Sequence, residues 1–121
     1  LYKVSVTTHF DAAHQLNGYE GPCQALHGHT WKVRVDVVTG RKDEVGISLD
    51  FKELKSITHQ VLDRFDHKYI NQVAPFDHIN PTAENLSAYI FDEIEKLLPD
   101  KVSMSEVTVW ESESYAISYS R

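Results

Sequence analysis

Between Tyr2 and Phe10 apolar and polar residues alternate: Tyr2, Val4, Val6, Thr8 and Phe10 share one side, Lys3, Ser5, Thr7 and His9 the other. A period of two predicts a half-buried strand. Asn17-Gly18 and Gly21-Pro22 mark a loop. Alternation resumes with Trp31, Val33, Val35 and Val37 against Lys32, Arg34 and Asp36, a second strand, and the polar run 40–46 is a hairpin-like turn leading to a short stretch at 47–49. From Asp50, a plausible N-cap, the period becomes helical: Phe51, Leu54, Ile57, Val61, Leu62 and Phe65 form one stripe. After an irregular segment, Asn80-Pro81-Thr82 opens a second helix whose stripe is Leu86, Tyr89, Ile90, Ile94, Leu97 and Leu98, with Pro99 as its stop. Residues 102–111 and 115–119 read as the last two strands, with the turn at 111–114.

The order strand, strand, helix, helix, strand, strand predicts a single α+β domain over residues 1–121. Its expected form is a four-stranded antiparallel sheet with both helices on one face, ββααββ. The outer face of such a sheet is expected to carry Trp and Val side chains, and two edges stay open. Both features favour association with further copies of the chain.

Composition narrows the function. The 121 residues suit one domain, and 41% hydrophobic with 25% charged residues is ordinary for a globular fold. No apolar stretch approaches the roughly 20 residues of a membrane span, and no basic-then-apolar start suggests a signal peptide. Eighteen acidic against twelve basic residues, a formal charge of −6, argue against general nucleic-acid binding. The single Cys23 forms no internal disulfide and fits a reducing cytoplasm. Seven histidines are the oddity.

His27-Gly28-His29 enters the second strand, where residues two apart share a face at roughly 6.5–7 Å. Both imidazoles can then reach one ion, and Gly28 would let another segment approach closely. Zinc needs a third ligand. His14 shares the parity of Phe10 and Ala12, and antiparallel pairing would bring it beside the start of the second strand. Cys23 is a fourth ligand, a thiolate base beside an open site, or a buried inert thiol. Asp66-His67 is a carboxylate–imidazole pair or a solvated helix end. Glu111 continues the parity of Val107 and Val109. An inward carboxylate there requires donors, and a ligand with paired N–H groups would supply them; otherwise the strand has ended and Glu111 is solvated. His9, His59 and His78 lack supporting partners, with His59 a solvated helix residue.

In order along the chain stand Phe10-Asp11-Ala12-Ala13-His14, Cys23-Gln24-Ala25-Leu26-His27-Gly28-His29, Leu49-Asp50-Phe51, Asp66-His67, Pro81-Thr82-Ala83-Glu84-Asn85 and Glu111. Together they resemble the 6-pyruvoyl-tetrahydropterin synthase and 6-carboxy-tetrahydropterin synthase family, of the tunnelling fold. The resemblance implies one catalytic zinc per subunit on His14, His27 and His29, with Cys23 the proton-abstracting base and Asp66 and His67 completing a relay. It further implies that Glu111 anchors a pterin, with Thr82 and Glu84 lining the pocket. Relatives of this kind form hexamers of two trimers, each trimer a twelve-stranded barrel, with active sites between subunits. The implied substrate is 7,8-dihydroneopterin triphosphate. The three residues between Cys23 and His27 resemble the carboxy branch, which loses triphosphate and acetaldehyde on the route to queuosine and other 7-deazapurines. The pyruvoyl branch, which keeps the side-chain carbons, is the alternative. Gln15 departs from the Arg of many relatives, and the triphosphate would need a cationic patch drawn from Lys3, Lys32, Lys68 or a neighbouring subunit. From another class, a non-catalytic module with structural zinc on Cys23, His14, His27 and His29 fits the same residues. No carboxylate is clearly placed for a zinc hydrolase.

Overall fold

The computed structural model describes residues 1–18 and 26–121, His27 through its backbone alone. Cys23, the Gly21-Pro22 part of the loop and the His27 side chain lie outside the described residues. Strands β1 (Tyr2–His14) and β2 (His27–Thr39) pair antiparallel along their full length, from Tyr2 opposite Thr39 to His14 opposite His27. Helix α1 (Phe51–Leu62) follows, then a two-residue strand β3 (Lys68–Tyr69), helix α2 (Ala83–Glu95), β4 (Val102–Ser112) and β5 (Tyr115–Tyr119).

The sheet has five strands in the order β3-β1-β2-β4-β5, one more than the pattern predicts. The addition, β3, runs parallel to β1 and pairs only with Ala12 and Ala13. Two residues are too few to leave a periodic signal. On its outer side β1 is paired at these two residues alone, and β5 forms the opposite edge. Residues 47–49 form no strand.

The expected outer face is inverted. Trp31, Val33, Val35 and Val37 are all fully buried, because their face of β2 is the one the helices cover. The other face is polar, with Lys32 and Arg34 exposed and Asp36 buried beside Arg34 and Ser5. On this face the Trp110 ring lies 4.5 Å beneath the Lys32 ammonium.

Both helices begin as their sequences suggest: Asp50 accepts from the Lys52 N–H at 2.8 Å, and Thr82 accepts from the Asn85 N–H at 3.1 Å. Leu54, Ile57, Val61 and Leu62 carry the α1 stripe into the core, and Phe65 continues it. Phe51 is 71% exposed, since packing on the sheet starts one turn into the helix. Leu97, past the end of α2, is likewise exposed, so the helix stops before Pro99. No described helix is long and apolar enough to cross a membrane.

Candidate functional site

His14 is the last residue of β1, and the strand's alternation turns it inward to complete burial. The register sets Ala12 opposite His29 and His14 opposite His27, so both β2 histidines stand beside the end of β1 as the parity argument requires. The His14 and His29 rings meet edge to face at 5.1 Å, and each meets Trp31, at 4.8 and 5.3 Å. The Trp31 indole N–H donates to the Ala12 carbonyl at 3.3 Å, which fixes this aromatic platform.

Glu111 arrives from β4. The pairing of β4 with β5 shifts between Trp110 and Ser112, a bulge that aims Glu111 at the histidines. Its Oε1 lies 3.0 Å from His14 Nε2 and 3.2 Å from His29 Nε2, and the three ligand atoms fall within 4.8 Å of one another.

The tautomer of His14 follows from its other nitrogen. Nδ1 lies 2.8 Å from the Pro81 carbonyl, which only accepts, so Nδ1 carries the hydrogen. Nε2 then directs a lone pair at a carboxylate oxygen. Two electron-rich atoms hold that separation only with a positive charge between them, a proton or a metal ion. Donor atoms around a tetrahedral zinc stand roughly 3.3 Å apart, close to both separations here. A backbone carbonyl fixing the far side of a ligating imidazole is also the usual outer support of a metal site. The residues therefore fit a metal ion.

Beside this group a concave region of about 400 Å³ opens between the start of α2 and the β4–β5 hairpin, lined by Ala83, Glu84, Val109, Glu111, Tyr115 and Ile117 among others. Glu84 and Glu111 thus share one cleft. Thr82 is not part of that lining; its hydroxyl caps α2.

Asp66 and His67 come together, but in a second group. His67 has φ of 59°, the left-handed region, which folds its ring back onto its neighbour instead of letting the two side chains diverge. Its Nδ1–H donates to Asp66 Oδ1 at 3.1 Å. The same oxygen accepts the Asp11 N–H at 3.0 Å, and the His67 N–H returns to the Asp11 carbonyl at 2.6 Å. The Asp11 amide, above all, holds the Asp66 carboxyl below its ordinary range, with the His67 imidazole adding to the effect and partial desolvation opposing it. Asp11 is exposed and has the opposite parity on β1 from Ala12 and His14. Within one chain the two groups therefore lie on either side of the strand.

Other expectations change. His59 is not simply solvated: its Nε2 bonds Thr8 Oγ1 at 2.8 Å, and Nδ1 lies 3.5 Å from Asp63. His78 lies beside Asp77 at 3.7 Å, whereas His9 is exposed. At Gly28 a methyl group would meet nothing within 4 Å among the described residues, so no described segment approaches there. Gln15 is tied by its backbone to Asn71, at 2.9 and 2.7 Å. Lys3 and Lys32 share the polar face of the sheet, and Lys68 follows His67 in β3. Asp11, Thr30 and the Pro81 carbonyl are contributors that sequence patterning does not reveal, because each depends on long-range pairing.

A profile of the family described as 6-pyruvoyl tetrahydropterin synthase matches residues 3–121. A 6-carboxy-5,6,7,8-tetrahydropterin synthase from Haemophilus influenzae is 33% identical over 93% of this chain and 94% of its own. A dihydroneopterin monophosphate aldolase from Pyrococcus furiosus is 34% identical over 97% and 92%. Among solved structures, 6-pyruvoyl tetrahydropterin synthase from Caenorhabditis elegans superposes with a TM-score of 0.87 at 25% identity, covering 99% of this chain and 95% of its own. Sequence motifs, fold and near-complete coverage agree, and the chain belongs to the 6-pyruvoyl tetrahydropterin synthase family.

Proposed function

We propose that this protein is a zinc-dependent 6-carboxy-5,6,7,8-tetrahydropterin synthase, a lyase acting on 7,8-dihydroneopterin triphosphate with loss of triphosphate and acetaldehyde. The observation that carries the reading is the strand register that sets His14 beside His27 and His29, with the His14 Nδ1–H on the Pro81 carbonyl and its Nε2 beside the cleft that Glu84 and Glu111 line. Names and identities of several relatives support the carboxy branch. The product would feed the assembly of 7-deazapurines such as queuosine, in the cytoplasm.

His14, His27 and His29 would hold one zinc. When bound it supplies Lewis acidity to the hydroxyls of the pterin side chain, making a neighbouring C–H acidic. We assign Glu111 to the pterin ring because it also lines the cleft with Glu84, where two carboxylates suit a ring rich in N–H donors. Cys23 is the base that takes the carbon-bound proton. His67 receives it: with Nδ1–H bonded to Asp66, the other ring nitrogen is the accepting one. Since the metal group and the Asp66–His67 pair lie on opposite sides of β1, a neighbouring subunit supplies the relay to each metal site. Open strand edges suit that assembly, a hexamer of two trimers with barrel closure.

Zinc-loaded protein incubated with 7,8-dihydroneopterin triphosphate tests the reading. Acetaldehyde and 6-carboxytetrahydropterin are expected in equal amounts. Intact 6-pyruvoyl product without acetaldehyde would assign the pyruvoyl branch instead. The Pyrococcus relative favours a second reading, aldol cleavage of a dihydroneopterin monophosphate. That reaction would release a two-carbon hydroxyaldehyde that carries the phosphate and leave a hydroxymethyl dihydropterin.

A further inference from the structure

The Asp11 side chain has no role in the site as read so far, yet Asp11 meets the relay pair three ways. Its amide N–H and carbonyl clamp Asp66 and His67, at 3.0 and 2.6 Å. Its side chain also turns toward them: one oxygen of Asp11, one of Asp66 and one ring nitrogen of His67 lie within 4.8 Å of one another. The Asp11 carboxylate is held there by Thr30, whose hydroxyl donates to Oδ1 at 2.6 Å from the neighbouring strand. Two carboxylates so close repel each other, and the cluster is favourable only where positive charge arises beside it. The one group among the three that can become positive is His67.

We propose that Asp11, fixed by Thr30, is a positioning residue of the proton relay: its backbone clamps the Asp66–His67 pair, and its carboxylate is the second counter-charge, with Asp66, for the imidazolium formed when His67 accepts a proton. The inference rests on the relay assigned to Asp66 and His67 above. In the step, the substrate C–H bond breaks and its electron pair stays on the substrate. The Cys23 thiolate takes the proton and passes it to His67, whose Nδ1–H remains bonded to Asp66. The transfer itself changes no oxidation state; when the proton returns, the pterin ring is reduced at the expense of its own side chain, so no external oxidant or reductant is needed. The charge that Asp11 stabilises is the one the transferred proton brings to the relay, so its loss falls on kcat more than on substrate affinity. Asp11 lies on the other face of β1 from His14, so metal binding is independent of it.

The test uses zinc-loaded full-length protein and its Asp11→Asn, Thr30→Val, Thr30→Ser and His67→Ala variants, with kcat, KM and zinc per chain measured for each. Asp11→Asn keeps shape and the backbone clamp while removing the charge. Removing one of two nearby counter-charges predicts a kcat lower by about threefold to tenfold, with KM and zinc unchanged. Thr30→Val is expected to lower kcat in the same direction, and Thr30→Ser, which keeps the hydroxyl, to restore it. Unchanged kcat in Asp11→Asn beside an inactive His67→Ala overturns the role of Asp11 alone. Full activity in His67→Ala overturns the relay and the role of Asp11 together. A second zinc per chain that Asp11→Asn removes would make the cluster a metal site and overturn the proposal.

Discussion

Replacing Glu111 with Gln separates the two roles its position allows. The carboxylate is 28% exposed at its side chain and faces two imidazole nitrogens at 3.0 and 3.2 Å while lining the adjoining cleft. Against a pterin it offers two acceptors to the ring N–H and 2-amino groups. Gln keeps the volume but converts one acceptor to a donor, which would meet a pterin N–H head on. Charge-assisted hydrogen bonds of this kind contribute about 1.5–3 kcal/mol, and partial exposure places the loss toward the lower end. The expected weakening is therefore about tenfold to thirtyfold. The fold should persist, because Glu111 is only partly buried and Gln keeps its volume. Calorimetric titration of metal-loaded wild type and variant with unphosphorylated 7,8-dihydroneopterin reads the ring contribution alone, and zinc per chain is measured on the same samples. Equal affinities would remove Glu111 from ring recognition. A variant that loses its zinc instead would make Glu111 a metal ligand and refute the assignment.

His14→Ala should remove most of the bound zinc, since it deletes a buried ligand, and should leave the Pro81 carbonyl without its donor. Dialysis against a zinc buffer followed by elemental analysis checks it, and full occupancy would exclude His14 as a ligand. The lowered Asp66 carboxyl gives a signed pH dependence: its stabilisation is complete above the ordinary value of 3.8 and is lost as pH falls through the lower folded-state value. The melting-temperature gap between wild type and Asp66→Asn should thus narrow as pH drops below about 4; a constant gap would contradict the cause assigned. At His67 the left-handed backbone favours glycine, so His67→Gly should be more stable than His67→Ala by about 1 kcal/mol in urea unfolding, with neither variant turning over. Equal stability of the two would show that the backbone there carries no strain.

Strand parity makes much of the His14–His29–Glu111 group legible in the sequence. Phe10, Ala12 and His14 share a side, and so do His29, Trp31 and Val33; antiparallel pairing then has to bring the histidines together. Parity also placed Glu111 inward, although the bulge that aims it was not readable. Which face of the sheet the helices cover was not readable either, because a run of inward Val and Trp looks the same from both sides. That is why Trp31 was expected on an outer face and is instead fully buried. The Asp66–His67 pair was visible as two letters, but its geometry depends on a left-handed residue and on the short parallel pairing of β3 with β1. Neither leaves a local pattern. The Thr8–His59 bond joins a strand to a helix 51 residues away, a separation at which alternation says nothing.

The coordination shell of zinc loaded into the protein tests the proposed reading most directly. X-ray absorption at the zinc edge distinguishes nitrogen or oxygen neighbours at about 2.0–2.1 Å from sulfur at about 2.3 Å. The account predicts a shell of imidazole nitrogens from His14, His27 and His29 with a light-atom ligand at the open position and no sulfur, unchanged in Cys23→Ala. A sulfur neighbour that disappears in that variant would make Cys23 a fourth ligand. The ion would then be structural, and the catalytic reading would fail.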